Sequence, residues 1–414
     1  MGVFSIFRDK SASSAPESGK IPTQEAYYGT IVRRISLAKY VLILISICFA
    51  AFAFTFFGDE LTIENFRYML KFVSFDPVTV SMDGAEIKYD YDAGNTGAIV
   101  RGDLAVVNGS EICVYDFSSR RVLKSHLGYS DPLVRVSDRN IYVCDLGGTE
   151  LEIFTSYSSV FSQSYEYPIL GLDVNGSGAF AVISKKKNYR SGIWVYDENF
   201  NTVYTTFFGS DREIIDVSLN DDGTRLMAAA FYTTDAGEFE TYLMTIDTGS
   251  EDPVRTVTVP GELPWKVCYT DDGGCWLLTD RALRRYSADG AEIFCEYYGS
   301  RTIKKFKLDE KYASLAYHDG SSGNDMYAEF YSSSGLTGTA YVPAVTDILF
   351  YGDRAYMLTS NGLDIVDPTD TGGTPLHVAD GTFDSVLVSR ETSQIVLFSK
   401  SCAVIYDIDG LTGD

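Results

Sequence analysis

The chain is poor in the residues that most often bind metals or carry out catalysis. It has only three histidines, His126, His318 and His377, and none has a second His or Cys at metal-ligand spacing. The Gly-x-Ser-x-Gly nucleophile motif, the P-loop and the dinucleotide-binding fingerprint are absent. The sequence therefore predicts no catalytic residue, no metal site and no cofactor.

Cysteine is also sparse, and its spacing indicates no disulfide framework. Cys48 lies in an apolar run, and the other six lie in strand-like segments without a CxxC pair: Cys113, Cys144, Cys268, Cys275, Cys295 and Cys402. Widely spaced cysteines in a large domain are typical of buried free thiols. Cys268 and Cys275 flank one tight hairpin, and we expect that turn to set them diagonally, too far apart for a disulfide bond.

Positive charge is the third scarcity. The 414 residues carry 34 Lys and Arg against 57 Asp and Glu, a net charge of −23. Binding to nucleic acid depends on a basic surface, so nucleic acid is excluded as a partner. Many of the acidic residues fall in turn positions, where Asp bonds its own backbone, and we expect turn formation to explain most of them.

One long apolar segment is present, at residues 40–57, and it contains no charged residue. A helix of that length spans roughly 27 Å, about the hydrocarbon thickness of a bilayer. Six basic and three acidic residues precede it, which predicts a single-pass protein of the cell membrane with its N-terminus in the cytoplasm. A cleaved signal peptide and a buried core helix are the alternatives, disfavoured by the long preceding segment and by the lack of a polar stripe.

The segments on either side of this run have different expected roles. Residues 1–39 are rich in Ser, Ala and Pro, which predicts a disordered cytoplasmic tail. Residues 58–77 contain apolar side chains at intervals of three and four, which predicts an amphipathic juxtamembrane helix and linker. Residues 78–414 form the third part, which we expect to be an extracytoplasmic β-propeller for the following reasons.

The remainder consists of short alternating runs separated by Asn-Gly, Asp-Gly, Gly-Gly and Ser-Gly, the pattern of an all-β domain built from hairpins. The runs repeat in units of four strands, and the unit starts lie 34 to 50 residues apart, near the spacing of propeller blades. We place the starts near Ala98, Pro132, Leu170, Ile214, Pro264, Ile303, Val345 and Phe383.

The two ends of this repeat complement each other. The last unit lacks its fourth strand, while residues 86–91 (EIKYDY) form an isolated strand before the first unit. Pairing the two would close the ring and remove an open sheet edge. The fold class predicted is thus all-β, an eight-bladed β-propeller preceded by one transmembrane helix. Seven blades is the alternative, because the boundaries near Ile303 and Val345 are the weakest.

The apolar run, the following LTIENFRYMLKF segment and the repeats together resemble a family of membrane-anchored β-propeller proteins of Gram-positive bacteria whose function is unknown. The turns after the first strands resemble those of WD40-like and quinoprotein-like propellers. The chain departs from quinoprotein dehydrogenases in lacking repeated Trp motifs, and from WD40 repeats in lacking Gly-His and Trp-Asp pairs. The resemblance implies an architecture and a location but no reaction.

Three connections between second and third strands look long, 184–191, 231–240 and 317–325, and they should share one propeller face. Binding residues concentrate on loops held by a rigid scaffold. The first carries an island of positive charge on an acidic domain, which suits an anionic partner. The candidate binding residues are Lys185, Lys186, Lys187, Tyr189, Arg190, Tyr232, Asp235, His318 and Asp319.

Three functions stay open on the sequence alone. The favoured one is a membrane-anchored binding or scaffold module for a protein or glycan of the cell envelope, and not an enzyme. The second is an envelope polysaccharide hydrolase or lyase, which would need a central pocket with converging carboxylates and tyrosines. The third is a single-span sensor that passes ligand occupancy to the tail.

Overall fold

The computed structural model describes residues 35–48, 84–209, 212–250, 253–318, 326–389 and 392–408. The chain separates into two compact units, Met1–Phe66 and Arg67–Asp414. The described part of the first unit is a helix at 35–48 with exposed apolar side chains. None of the helices in the described ranges has both the length and the apolar content needed to span a membrane.

The predictions for the N-terminal region fall mostly beyond these ranges. The described part of the helix includes residues 35–39 of the predicted tail, and the predicted span at 40–57 continues past residue 48 into residues outside the described part of the chain. The rest of the tail, to residue 34, and the predicted amphipathic segment at 58–77 lie outside it entirely.

The second unit contains 32 described strands, β1 to β32. The first strand, β1 (Ala85–Lys88), precedes the blades. Blade 1 consists of β2 (Thr96–Val100), β3 (Asp103–Val107), β4 (Glu111–Asp116) and β5 (Arg121–His126). Blade 2 consists of β6 (Pro132–Val136), β7 (Ile141–Asp145), β8 (Glu150–Phe154) and β9 (Ser159–Ser164). Blade 3 consists of β10 (Gly171–Val174), β11 (Phe180–Lys186), β12 (Tyr189–Tyr196) and β13 (Thr202–Phe208). Blade 4 consists of β14 (Glu213–Leu219), β15 (Arg225–Thr233), β16 (Phe239–Asp247) and β17 (Arg255–Pro260).

The second half of the ring repeats the pattern. Blade 5 consists of β18 (Pro264–Tyr269), β19 (Cys275–Thr279), β20 (Ala282–Tyr286) and β21 (Glu292–Tyr297). Blade 6 consists of β22 (Ile303–Leu308), β23 (Ala313–His318), β24 (Met326–Ser332) and β25 (Gly335–Val342). Blade 7 consists of β26 (Val345–Tyr351), β27 (Arg354–Thr359), β28 (Gly362–Val366) and β29 (Leu376–Asp380). Blade 8 consists of β30 (Ser385–Ser389), β31 (Gln394–Phe398) and β32 (Cys402–Asp407), together with β1.

Each blade is an antiparallel sheet, and the described residues form eight four-stranded sheets. Strands pair in chain order in blades 1 to 7, whereas β1 completes blade 8. The predicted count of eight is confirmed and the alternative of seven is wrong. Every observed blade begins within two residues of its predicted start. The agreement arises because the turn residues mark the strand ends. At the first turn of blade 4, for example, Gly223 adopts a φ of +67° that favours glycine.

The hydrophobic core lies between neighbouring blades. One cluster joins Ile183 and Ile193 of blade 3 to Ile214, Leu226 and Met244 of blade 4, all nearly inaccessible to solvent. Because a blade packs against a neighbour on each face, both faces of its middle strands are buried. The second strands therefore read as continuous apolar runs instead of alternating ones.

The ring closes through β1, which pairs antiparallel with β32 and supplies the fourth strand of blade 8. Ile87 of β1 faces Ala403 and is fully buried. The Tyr89 hydroxyl donates to the Ser399 carbonyl oxygen at 2.6 Å, which fixes the segment after β1 to the same blade. The predicted closure by the N-terminal strand is confirmed.

Candidate functional site

The basic segment of blade 3 is a hairpin and not the long loop that the sequence predicts. Lys185 and Lys186 extend β11, while Tyr189 and Arg190 begin β12, so only Lys187 and Asn188 form the turn. Asn188 takes a left-handed φ of +70°, a conformation that asparagine tolerates well in tight turns. We call the segment 185–190 the basic hairpin.

The side chains of the basic hairpin are exposed and only partly neutralised. Arg190 Nε lies 3.2 Å from a carboxylate oxygen of Glu213. Lys186 Nζ lies 3.8 Å from the centroid of the Phe207 ring, a cation–π contact. Within the described ranges, Lys185, Lys186 and Lys187 form no ion pair, so three ammonium groups remain available to an anionic partner.

An aromatic groove of about 250 Å³ lies beside the basic hairpin, between blades 2 and 3. Its walls include the half-buried rings of Tyr165, Trp194 and Phe207, and Lys185 and Lys186 line its edge. The Trp194 ring meets Tyr165 and Phe207 edge-on, with centroids 6.0 and 5.3 Å away. The Tyr165 hydroxyl donates to that of Tyr196 at 3.0 Å, which links the Tyr165 ring to blade 3.

The other predicted residues lie at the corresponding ends of further second strands. Tyr232 is half-buried on β15, and Asp235 is exposed in the short turn that follows, because strand pairing continues as far as Thr233 opposite Phe239. The predicted loop at 231–240 is therefore also a hairpin. His318 is exposed at the end of β23, and Asp319 lies outside the described residues.

The second concave region is the central channel, a cavity of about 990 Å³ lined by the first strands of all eight blades. It extends to the turns between first and second strands, including Asp221 and Glu310. The basic hairpin joins a second strand to a third strand, so it lies at the other end of the blades. The molecule thus has two separate candidate sites.

Carboxylates brace the wall of the channel by bonding the backbone of the next blade. The Leu219 N–H donates to Asp173 Oδ2 at 2.8 Å, and the Val386 N–H donates to Asp347 Oδ2 at 3.0 Å. Each first strand pairs on one side only, so these bonds satisfy backbone N–H groups at its open edge. Burial raises the pKa of Asp173 despite this hydrogen bond.

The channel wall also carries charged side chains of both signs. Arg135 on β6 and Lys307 on β22 are half-buried in the wall, while Asp309 and Glu310 follow β22. Burial, together with the nearby Asp221, raises the pKa of Glu310 to about 7. Sequence reasoning missed these residues, because only ring closure brings the eight first strands together.

Two further polar clusters are structural. In blade 5 the buried Arg284 donates to both carboxylate oxygens of Glu262, at 2.5 and 3.1 Å, and the Thr279 hydroxyl donates to Glu262 at 2.7 Å. In blade 7 the His377 ring contacts Asp364 at 2.7 Å through Nδ1. Both clusters connect strands within the propeller.

The described residues contain neither a metal-binding cluster nor a disulfide bond. No group of three or more His, Cys, Asp or Glu side chains within the described ranges is arranged to hold a metal ion. All seven cysteines are free. Tyr269 lies opposite Cys275 and Cys268 lies opposite Trp276, so the two cysteines are diagonal neighbours as predicted.

Comparison with solved structures identifies the fold. The C-terminal WD40 domain of Sif2 is similar with a TM-score of 0.53 at 12% identity, covering 78% of this chain and 98% of that domain. The Myceliophteria thermophila Cps50 (Swd1) β-propeller gives 0.46 at 10% identity, covering 78% and 99%. The Neurospora crassa Pan2 WD40 domain gives 0.44 at 8%, covering 66% and 88%.

The likeness to the Sif2 domain supports a WD40-like β-propeller and nothing about its ligand, since the identity is so low. The chain has no match among curated proteins. A family model does match, over residues 85–385, from the closing strand to the start of blade 8. The protein therefore belongs to the family of unknown function DUF5711.

Proposed function

We propose that this protein is a binding or scaffold module of the cell envelope, anchored in the membrane by residues 40–57 with its propeller outside. The proposed docking surface is the basic hairpin together with the aromatic groove, and its partner is an anionic protein or glycan. The observation that carries the proposal is a set of three lysines, without ion pairs to any described residue, beside a groove with aromatic walls.

Charge gives this surface its selectivity. The protein as a whole has a net charge of −23, so most of its surface repels an anionic partner. The basic hairpin reverses that sign locally, and such a patch steers association and fixes orientation more than it adds affinity. Exposed charges are screened over about 8 to 10 Å at physiological salt, so we expect binding to weaken as ionic strength rises.

The aromatic groove would supply most of the contact energy. Aromatic side chains are enriched at the centres of interfaces, where rigid rings bury area at low entropic cost. The Trp194 ring is held between Tyr165 and Phe207, so little ordering is needed on binding. The groove is small, so we expect it to accept one ring or side chain of the partner.

The membrane anchor rests on the sequence. Its support is the 18-residue uncharged run with basic residues before it and Asp59 and Glu60 after it. Separation of membranes from soluble protein, followed by protease treatment of intact cells, tests both the anchor and the external location. Recovery of the intact chain from the soluble fraction would contradict the proposal.

The two alternative functions have less support than this one. A hydrolase or lyase would use carboxylates that converge in the channel, yet Asp173 and Asp347 accept hydrogen bonds from the backbone of neighbouring blades. These contacts suit a wall better than a proton-transfer pair. A sensor would act through the anchor and the tail, and no contact among the described residues of the propeller favours it.

Binding to defined polyanions tests the docking surface. Polygalacturonate represents an acidic glycan and poly-glutamate an acidic protein, each measured against the full-length protein in detergent. The test variant replaces four basic residues of the hairpin with Ser: Lys185, Lys186, Lys187 and Arg190. We expect at least roughly tenfold weaker binding of the preferred polyanion, equivalent to about 1.4 kcal/mol.

A control of equal charge change separates the hairpin from net charge. It replaces four basic residues of other blades with Ser, Lys88, Arg120, Lys124 and Lys311, all of which are exposed and paired with carboxylates. We expect less than about a threefold change for this variant, because exposed ion pairs contribute little. Equal losses in the two variants would show that the hairpin is not the docking surface.

A further inference from the structure

We propose that the central channel is a second binding site, which takes a short peptide with a free amino terminus and a free carboxyl terminus. This site is separate from the basic hairpin and does not depend on the proposed function. It lies at the opposite end of the blades, and it uses residues to which neither the sequence nor the family assigns a role.

The size of the channel suits such a ligand. Its volume of about 990 Å³ lies at the upper end of the range for small-molecule sites. A sphere of that volume is about 12 Å across, and three extended residues span roughly 10 Å. A tripeptide therefore fits with both termini near the wall.

The charges of the channel are divided between opposite walls. In a closed ring of eight blades, blade 2 lies across from blade 6. The wall at blade 2 carries Arg135 and Arg139 against Asp138, and the wall at blade 6 carries Asp309 and Glu310 against Lys307. The cavity is also lined by Asp173 and Asp347, whose carboxylates accept backbone hydrogen bonds between these walls. One wall is thus net positive and the wall across from it is net negative.

Arg135 is the best-placed group for a carboxylate. One guanidinium N–H donates to the Val134 carbonyl oxygen at 3.0 Å, and Arg135 interacts electrostatically with Asp173 of blade 3 without forming an ion pair within the described residues. Its other N–H groups can hold a carboxylate with two parallel hydrogen bonds. The carboxyl terminus of the ligand is assigned to this side.

Glu310 is the corresponding group for the amino terminus. It lies at the mouth of the channel with Asp309 beside it, and burial, the nearby Asp221 and a side-chain hydrogen bond with Asp271 raise the pKa of Glu310. An ammonium group placed among these carboxylates would favour their charged forms. Binding near neutral pH should therefore release a proton from Glu310.

The backbone of the channel favours a peptide over other dipolar molecules. The first strand of each blade pairs only with the second strand, so its other edge faces the channel. Where the ligand meets the opposite walls, these edges present N–H and C=O groups to its peptide groups. Some of these N–H groups are already bonded to the preceding blade, as at Leu219, Val267, Tyr269 and Val386.

Calorimetric titration of the full-length protein with trialanine tests the proposal. We expect one site per chain and an affinity at least tenfold weaker for N-acetyl-trialanine and for trialanine amide. Arg135→Met should abolish the preference for the free carboxylate, and Glu310→Gln the preference for the free amine. Arg120→Met, an exposed arginine on blade 1, serves as the matched control and should keep both preferences.

Each outcome has a defined meaning. Absence of trialanine binding, or equal binding of the blocked peptides, would overturn the proposal, as would tighter binding of spermidine or glutarate than of trialanine. If Arg135→Met loses the propeller signal in circular dichroism, Arg135→Lys replaces it and should weaken the carboxylate preference. The hairpin variant with four Ser should bind trialanine normally, so failure of the docking surface and failure of the channel site are distinguishable.

Discussion

Closure of the ring by β1 gives the most direct prediction, made through Ile87→Ala. The Ile87 side chain is fully buried and packs with Val396, Phe398 and Ile405. Truncation removes three carbon groups, each contributing about 0.8 kcal/mol. A residual cavity adds to this, and Ile→Ala replacements in cores cost roughly 2 to 5 kcal/mol. Because β1 is an outer strand that can relax partly, we expect about 3 kcal/mol.

Glu86→Ala provides the control within the same strand. Glu86 is exposed and its carboxylate lies 3.1 Å from the Lys88 ammonium, a surface pair that contributes little. We expect the free energy of unfolding to change by less than about 0.5 kcal/mol. Urea unfolding of the full-length protein, followed by circular dichroism, measures both variants against the parent.

Hydrogen exchange at β32 gives an independent measure. If β1 closes the ring, Ile87→Ala should speed exchange of the β32 amides that bond β1, while the amides of blades 3 to 5 stay protected. An effect of Ile87→Ala no larger than that of Glu86→Ala would refute the reasoning, since β1 would then not cover the core of blade 8.

Three further predictions concern single residues. Arg284→Met leaves the buried Glu262 carboxylate without its cation and should cost about 3 to 5 kcal/mol in urea unfolding, whereas adding Glu262→Gln should restore more than half. Gly362→Ala would place a Cβ 1.8 Å from a backbone oxygen of the neighbouring strand, with φ at +139°, and should cost at least about 2 kcal/mol. Gly352→Ala meets nothing within 4 Å and should cost about 1 kcal/mol or less, so equal losses in the two glycine variants would contradict the steric argument. The contacts of His377 with two carboxylates raise the pKa of its ring above the ordinary 6.5 in the folded state, so its contribution to stability should be full below pH 6.5 and lost as the pH rises through the folded pKa. Unfolding of the parent and of His377→Asn at pH 6 and pH 9 measures this, and a difference that grows with pH would give the wrong sign.

Local sequence signals were sufficient for the blades. Turn residues such as Gly223 mark the ends of strands in most blades, so the blade starts could be placed within two residues. The isolated strand at β1 and the missing fourth strand of blade 8 gave the closure. Each of these features can be recognised within a short stretch of sequence.

The predicted loops fail for an equally local reason. Polar residues such as Lys186 and Tyr232 extend β11 and β15 because backbone pairing continues past the end of the apolar pattern. A strand end that projects beyond the core needs no buried side chain, so hydrophobicity does not mark where it stops.

The channel could not be predicted, for a different reason. Arg135 and Glu310 are 175 positions apart in the chain and come from opposite blades. Nothing near either residue signals the other. The pKa of Glu310 depends on Asp221, in a turn two blades away, so the electrostatics of the site exist only in the closed ring.

Closure by the two ends of the repeat also sets an order in time. Tyr89 and its hydrogen-bond partner Ser399 are separated by 310 residues, so Ser399 is synthesised long after Tyr89. At 5 to 20 residues per second this delay is roughly 15 to 60 s. During this delay the first seven blades can form, while β1 has no partner strand to pair with. The nascent protein must therefore keep one strand from aggregating until its last blade is synthesised.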